Sequence, residues 1–297
     1  MNEEHKGILL ESGTNELEVI VFEVGAGIFG INVMKVREII QPLDVTIMPH
    51  SHPNVEGVIR LRDEIIPVID LAKAIGFQQS ENPGQDKLIV SELNQVKVAF
   101  HVHSVSRIHR ISWEQIEKPN KLSQGLQDLT IGVIKMDDNM ILLLDYEKVV
   151  YDIMPEAGIS SKKLEGIETK DRSNKKVLIA EDSPILRQLL KNTLNEAGYN
   201  QLVFTEDGKE AWEYLKDASK EDVELLITDI EMPLMDGHHL TKRVKEHAEL
   251  KKLPVIIFSS LISGDLFHKG ERVGADAQIS KPEVGKLVQK LDMLLQL

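Results

Sequence analysis

Five positions in the second half of the chain hold the side chains best suited to chemistry: the adjacent acids Glu181 and Asp182, then Asp229, Ser259 and Lys281. Three carboxylates gathered in one crevice repel one another, so they must either hold a proton or bind a cation. A hard divalent ion answers that need. Mg2+ takes oxygen ligands, keeps several waters and is typically held by one or two carboxylates with room left for a phosphate oxygen. A hydroxyl and an ammonium group, Ser259 and Lys281, are what the remaining oxygens of a phosphoryl group require. Asp229 is then the nucleophile, taking the phosphoryl group as an acyl phosphate while cation and lysine neutralise the charge spread over the transferring oxygens.

The surrounding sequence supplies elements that bring these groups together. Runs Lys176–Glu181, Leu202–Thr205, Leu225–Asp229, Val255–Ser259 and Ala277–Ser280 are leucine-rich or β-branched, and each precedes a helical pattern. Such alternation predicts a parallel, doubly wound sheet, whose ligand site lies at the carboxyl ends of its strands. All five groups stand at those ends. Ser183-Pro184 supplies an N-cap and an N1 proline to the first helix, with Ile185, Leu189, Leu190 and Leu194 as its apolar stripe. Lys281-Pro282 is a candidate cis bond.

Glu181-Asp182-Ser183, the run from Thr228-Asp229 to Met235-Asp236-Gly237, the strand Pro254 to Ser260, and Lys281-Pro282 together resemble a response-regulator receiver domain. The resemblance spans residues 175–297 and implies the flavodoxin-like strand order 2-1-3-4-5. It also implies Mg2+ held by Glu181, Asp182, Asp229 and the backbone carbonyl of Glu231, phosphorylation at Asp229, and phosphate contacts from Ser259 and Lys281. One departure stands out: Gln278, three residues before the lysine, occupies the switch position where receivers usually carry Tyr or Phe.

The first half reads differently. Glu18–Val24, Ile28–Ile31, Val55–Leu61, Ile65–Asp70, Lys87–Glu92, Lys97–Val102, Ile131–Met136 and Met140–Asp145 are short strands separated by turn signals, including Asp137-Asp138-Asn139. Residues 57–71 and 132–146 match at a constant offset of 75, six of fifteen positions being identical. Each copy is a hairpin of two apolar strands about an acidic turn, which predicts a mostly-β domain of two similar barrel halves. Three motifs here invite other readings. Gly25-Ala-Gly-Ile-Phe-Gly30, with Asp44 beyond it, has dinucleotide-binding spacing, but strand rather than helix follows and a hairpin turn is expected. His101 and His103 share one face of a strand without a third metal ligand nearby in sequence. Arg107-Ile-His-Arg110 is a small basic patch read as a solvated strand end.

Val21-Phe-Glu-Val-Gly25, Phe29 to Ile39, Pro53 to Arg62 and Ile66 to Leu71, with the Gly132-Val-Ile hairpin, resemble the CheW-like coupling domain of bacterial chemotaxis, built as two small β-barrels. That resemblance implies that Val36, Glu38 and Arg62 face a receptor or kinase partner; Asp63 replaces the glycine common after that arginine. A coupling domain followed by a receiver is the order of the CheV family, which the chain resembles end to end. It implies a non-enzymatic phospho-accepting adaptor in two-component chemotaxis signalling, tying chemoreceptor cytoplasmic tips to the histidine kinase CheA, with phosphorylation as adaptation feedback. The alternatives are a phosphate sink draining the kinase and a purely structural array scaffold.

Composition agrees. The 297 residues suit two domains: a flexible N-terminus at 1–15, the coupling domain at 16–155, a polar linker at 156–174 and the receiver at 175–297. The net charge of −13 disfavours general nucleic-acid binding. Zero cysteines suit a reducing cytosol, and no apolar run reaches ~18 residues. The first residues lack the pattern of a signal peptide. The expected location is cytoplasmic, at membrane-bound receptor arrays, without direct membrane insertion.

Overall fold

The computed structural model describes residues 16–118, 129–136, 139–157, 159, 164, 167–168, 170–217, 223–262 and 264–297. The expected flexible terminus 1–15 and two residues of the acidic turn, Asp137 and Asp138, lie outside them. The chain forms two compact units, divided between Gly158 and Ile159.

The first unit is mostly β. Its strands are β1 (Glu16–Val24), β2 (Gly27–Asn32), β3 (Val36–Ile40), β4 (Val55–Leu61), β5 (Glu64–Asp70), β6 (Lys87–Leu93), β7 (Val96–Val102), β8 (Ser104–Ser112), β9 (Ile116–Glu117), β10 (Thr130–Met136) and β11 (Asn139–Leu144). One sheet runs β3-β6-β7-β5-β4 and the other β8-β1-β2-β11-β10-β9. The two copies of the internal repeat form β4–β5 and β10–β11, one in each sheet. Their likeness extends to detail. In both, the register slips just before the glycine, at Val55/Gly57 and Thr130/Gly132. In both, the closing aspartate caps a helix, Asp70 accepting from the Lys73 amide of α1 (Leu71–Ala74) and Asp145 from the Lys148 amide of α2 (Tyr146–Ile153).

Gly25-Ala26 is the tight turn between β1 and β2, with Val24 paired to Gly27 and Gly25 at φ 57°. The dinucleotide reading fails there because strand, not helix, follows. The strands β3, β8 and β9 were not expected. β3 alternates half-buried with exposed positions, and β8 is an edge strand exposing Arg107 and Ile108, so neither carries a clear apolar period.

The second unit holds β12 (Lys176–Ala180), α3 (Pro184–Glu196), β13 (Gln201–Thr205), α4 (Gly208–Lys216), β14 (Leu225–Thr228), α5 (Gly237–Glu246), β15 (Val255–Ser259), α6 (Gly264–Arg272), β16 (Ala277–Ser280) and α7 (Val284–Leu294). Its sheet is wholly parallel in the order β13-β12-β14-β15-β16, the expected 2-1-3-4-5 winding. β12, β14 and β15 are apolar and buried on both faces, as a sheet covered by helices on each side requires. Val177, Ile179, Ile227 and Phe258 pack with Leu190 of α3 and Leu287 of α7, while Leu178 and Leu226 pack with Ala211 of α4 and Leu240 of α5. On α3 the buried apolar residues are Leu186, Leu190 and Leu194, with Thr193 buried beside them and Ile185 and Leu189 only partly buried.

The segment expected as a polar linker is only partly one. Ile159, Leu164 and Ile167 pack into the second unit's core, and Arg172 is 2% exposed. The polar composition hid these isolated anchors.

Candidate phosphoacceptor site

The register of the sheet places the acids. Thr228 of β14 lies beside Ala180 of β12 and Ile257 of β15, so Glu181, Asp229 and Ser259 leave neighbouring strands at the same end. Carboxylate oxygens of Glu181, Asp182 and Asp229 lie within 4.8 Å of one another, with Asp182 the more exposed member. Lys281 enters from the end of β16 and is fully buried. Its Nζ donates to Glu181 Oε2 and to Asp229 Oδ2, each at 2.7 Å. One ammonium therefore stands between two carboxylates in a water-poor pocket. The Lys281–Pro282 peptide is cis.

Asp229 is held from several sides. The Ile230 amide donates to its Oδ1 at 2.6 Å, and its own amide donates to the Ala180 carbonyl. Gly237, the first residue of α5, sits so close that a Cβ there would collide with the Asp229 backbone carbonyl. Just before it, Asp236 caps α5 through the His239 amide, and burial raises its carboxyl above the usual range. Burial also pushes the neighbouring His238 imidazole down to about 3, so it is neutral. Ser259 is buried and its Oγ accepts from the Leu261 amide. Glu231 is buried two residues beyond Asp229.

Arg187, one turn into α3, was not singled out in the sequence. Its Nη1 donates to the backbone carbonyls of Glu181 and Asp182, both at 2.8 Å. It fixes the acidic pair from behind. The available signal was its position one turn after the Ser183 cap, where a long side chain can reach back over the helix start. Gln278 on β16 donates from Nε2 to the Phe267 carbonyl at 2.7 Å, its side chain seated against Gly270 of α6.

In the first unit, Glu38 and Arg62 are brought together, Arg62 Nη2 lying 3.2 Å from Glu38 Oε1. They line a groove of about 390 Å³ with Arg37, Asp63, Glu64 and Lys97. Arg62 occupies the hairpin turn at φ 56° with its side chain 79% exposed. Val36 is only partly exposed and packs against the core, so it presents less surface than its two companions. The two histidines separate: His101 bridges Glu56 and Asp86, and His103 Nδ1 accepts from the Gly25 amide. Among the described residues, the group at Glu181, Asp182 and Asp229 is the one cluster of acids and histidines with metal-binding spacing.

This geometry gathers three acids about a buried lysine at the end of a parallel sheet, in a chain whose other half is a two-sheet β unit. Comparison with known proteins gives each half a family. Residues 18–154 match the CheW-like domain and residues 177–292 the response regulator receiver domain. The chemotaxis protein CheW of Thermotoga maritima is 33% identical over 150 residues, covering 50% of this chain and 98% of that protein. The chemotaxis protein CheY1 of Helicobacter pylori is 35% identical over 121 residues, covering 40% of this chain and 96% of that one. The chemotaxis protein CheV3 of H. pylori spans both halves, 32% identical over 300 residues and 95% of each chain. With both halves present in the same order along one polypeptide, the chain belongs to the CheV family of chemotaxis coupling adaptors that carry a receiver domain.

Proposed function

We propose that this adaptor couples chemoreceptor tips to the histidine kinase CheA in the cytoplasm, at receptor arrays, and that phosphorylation of its receiver at Asp229 modulates that coupling as feedback. The observation that carries the reading is Lys281 Nζ at 2.7 Å from both Glu181 and Asp229, with Asp182 beside them. This is a poised anionic site with its counter-charge in place.

In phosphoryl transfer, an Asp229 oxygen attacks the phosphorus of the kinase phosphohistidine. The new O–P bond forms as the P–N bond breaks, and the departing imidazole takes up a proton. Lys281 then turns its ammonium from two carboxylates toward the transferred group, and the Ser259 hydroxyl offers a hydrogen bond to another of its oxygens. The Glu181, Asp182 and Asp229 side chains fit a hard divalent cation such as Mg2+, which would neutralise the charge on the transferring oxygens, and we assign the Glu231 backbone carbonyl as its further ligand. The chain accepts a phosphoryl group and does not turn over a separate substrate.

Phosphorylation takes Asp229 from one negative charge to roughly two and adds a bulky, oxygen-rich group, and that is the change the coupling unit must sense. Glu38 and Arg62, paired on an exposed groove, are the residues we assign to partner contact, with Val36 supporting them from the half-buried side. The test is a reconstituted kinase assay with receptor fragments, comparing the wild type with Asp229→Ala before and after a phosphodonor is added. Both proteins should couple, and only the wild type should change kinase activity on phosphorylation. A wild type that responds no more than Asp229→Ala would remove feedback and favour a phosphate sink.

A further inference from the structure

Two buried ions of the coupling unit take no part in the phosphoacceptor site: Lys35 is 6% exposed and Glu147 7%. Lys35 Nζ lies 2.9 Å from Glu147 Oε1 and donates to its Oε2 at 3.1 Å, joining residues 112 apart in the sequence. Glu147 stands in the first turn of α2, where the helix dipole favours its charge. Their chain neighbours are apolar and packed: Tyr146, Val149 and Val150 of α2 belong to the unit's core, and Val33 and Val36 pack against it. Taking two ions out of water is costly, and an apolar pair of similar size often holds a fold as well or better. The best-attested use of such a pair is to fix a register.

Register is what β3 lacks by itself. Lys35 ends a short 3-10 turn, Val33–Lys35, which Asn32 caps through the Met34 amide, and the next residue opens β3. β3 stands at the edge of its sheet and pairs with β6 through Val36–Ser91, Glu38–Val90, Ile39–Ile89 and Ile40–Leu88, with a slip between Val36 and Glu38. Its positions alternate only between half-buried and exposed, so the apolar pattern specifies this pairing weakly. A shift of one residue would put Arg37 and Ile39 on the half-buried face in place of Val36, Glu38 and Ile40, and would take Glu38 away from Arg62. α2 supplies a fixed point, capped by Asp145 and joined to β2 by the Tyr146 hydroxyl, which donates to the Gly30 carbonyl at 2.9 Å. We propose that the Lys35–Glu147 ion pair fixes the register of β3, which makes Lys35 and Glu147 positioning residues for the Glu38–Arg62 pair. Its bearing on partner binding rests on the reading of Glu38 and Arg62 as contact residues.

Hydrogen–deuterium exchange of the full chain, read by mass spectrometry, tests the register, and the reconstituted kinase assay with receptor fragments tests its consequence. The variant is Lys35→Met combined with Glu147→Leu, which removes both ions and leaves neither one buried alone. Exchange over β3 should rise about tenfold or more while β7, in the middle of the same sheet, keeps its wild-type rate. Coupling by the same variant should weaken about fivefold or more. Unchanged exchange over β3 would overturn the inference, because apolar packing would then hold the register unaided. A rise shared by β7 would overturn it as well, since the pair would then serve the whole fold. Faster exchange confined to β3, with coupling unchanged, would support the register role and would instead remove Glu38 and Arg62 from partner contact.

Discussion

Replacing Lys281 with Met removes the cation that stands between Glu181 and Asp229 while keeping most of the side-chain volume. The two carboxylates are 2% and 9% exposed, with oxygens of the cluster within 4.8 Å. At an effective dielectric of ~20, two unit charges about 5 Å apart repel by roughly 3 kcal/mol. Breaking a buried pair from one side typically costs about 3–5 kcal/mol, which agrees. For a unit of this size that corresponds to a fall of roughly 10–20 °C in the receiver's unfolding temperature. The assay is thermal unfolding followed by circular dichroism near pH 7, in metal-free buffer and with Mg2+. A cation at a hundred times its dissociation constant returns about 2.7 kcal/mol, so Mg2+ should recover much of the loss in the variant. It should stabilise the wild type less, because there it competes with the ammonium. Acid should also help the variant: its folded form then holds a proton that the unfolded chain does not, so stability falls as pH rises. If Lys281→Met unfolds within about 3 °C of the wild type without metal at neutral pH, the bridging ammonium is not what keeps these acids together, and the electrostatic account of the site fails.

Three further predictions address other parts of the structure. Gly237→Ala should destabilise the receiver by about 1–3 kcal/mol and slow phosphorylation, because the new methyl group meets the Asp229 carbonyl; a neutral effect in chemical denaturation would show that α5 does not press on the acceptor. Ser259→Ala should slow phosphoryl acceptance about tenfold or more while changing stability by no more than about 1 kcal/mol, measured by label transfer and urea titration; an unchanged rate would exclude the hydroxyl from the reaction. His101 should make the coupling unit's stability depend on pH. The hydrogen bond to Glu56, aided by Asp86 and opposed by burial, raises its pKa above 6.5. Its stabilisation is therefore complete below the unfolded value and lost as pH rises through the higher folded value. The gap in urea midpoint between wild type and His101→Gln should narrow from about pH 6 to about pH 9, and a constant gap would refute the assignment.

The receiver was legible because its signals are local and repeated. After Lys176, β12 is apolar, and β14 and β15 are apolar up to their closing Thr228 and Ser259; polar groups stand at or just past each strand end, and the doubly wound winding turns those ends into one site. Lys281 could be read because its neighbours on β16 announce the strand. What escaped depends on pairing across the chain. Arg187 looks like any basic residue on a helix until its contact with the Glu181 and Asp182 carbonyls is seen. Arg172 sat in a stretch read as a polar linker, since its partner Asp292 is 120 residues away. In the coupling unit, the repeat at an offset of 75 disclosed one hairpin per sheet. It could not disclose that β1 and β2 join the sheet of the second copy, a matter of tertiary pairing. β3 and β8 were missed because their exposed, charged positions erase the alternation on which strand reading depends.

The most direct test of the central claim is transfer of a labelled phosphoryl group from phosphorylated CheA to this protein and to Asp229→Ala, with and without Mg2+. Labelling of the wild type that requires Mg2+ and disappears in Asp229→Ala is the predicted result. Equal labelling of both proteins, or none of the wild type with Mg2+ present, would contradict it.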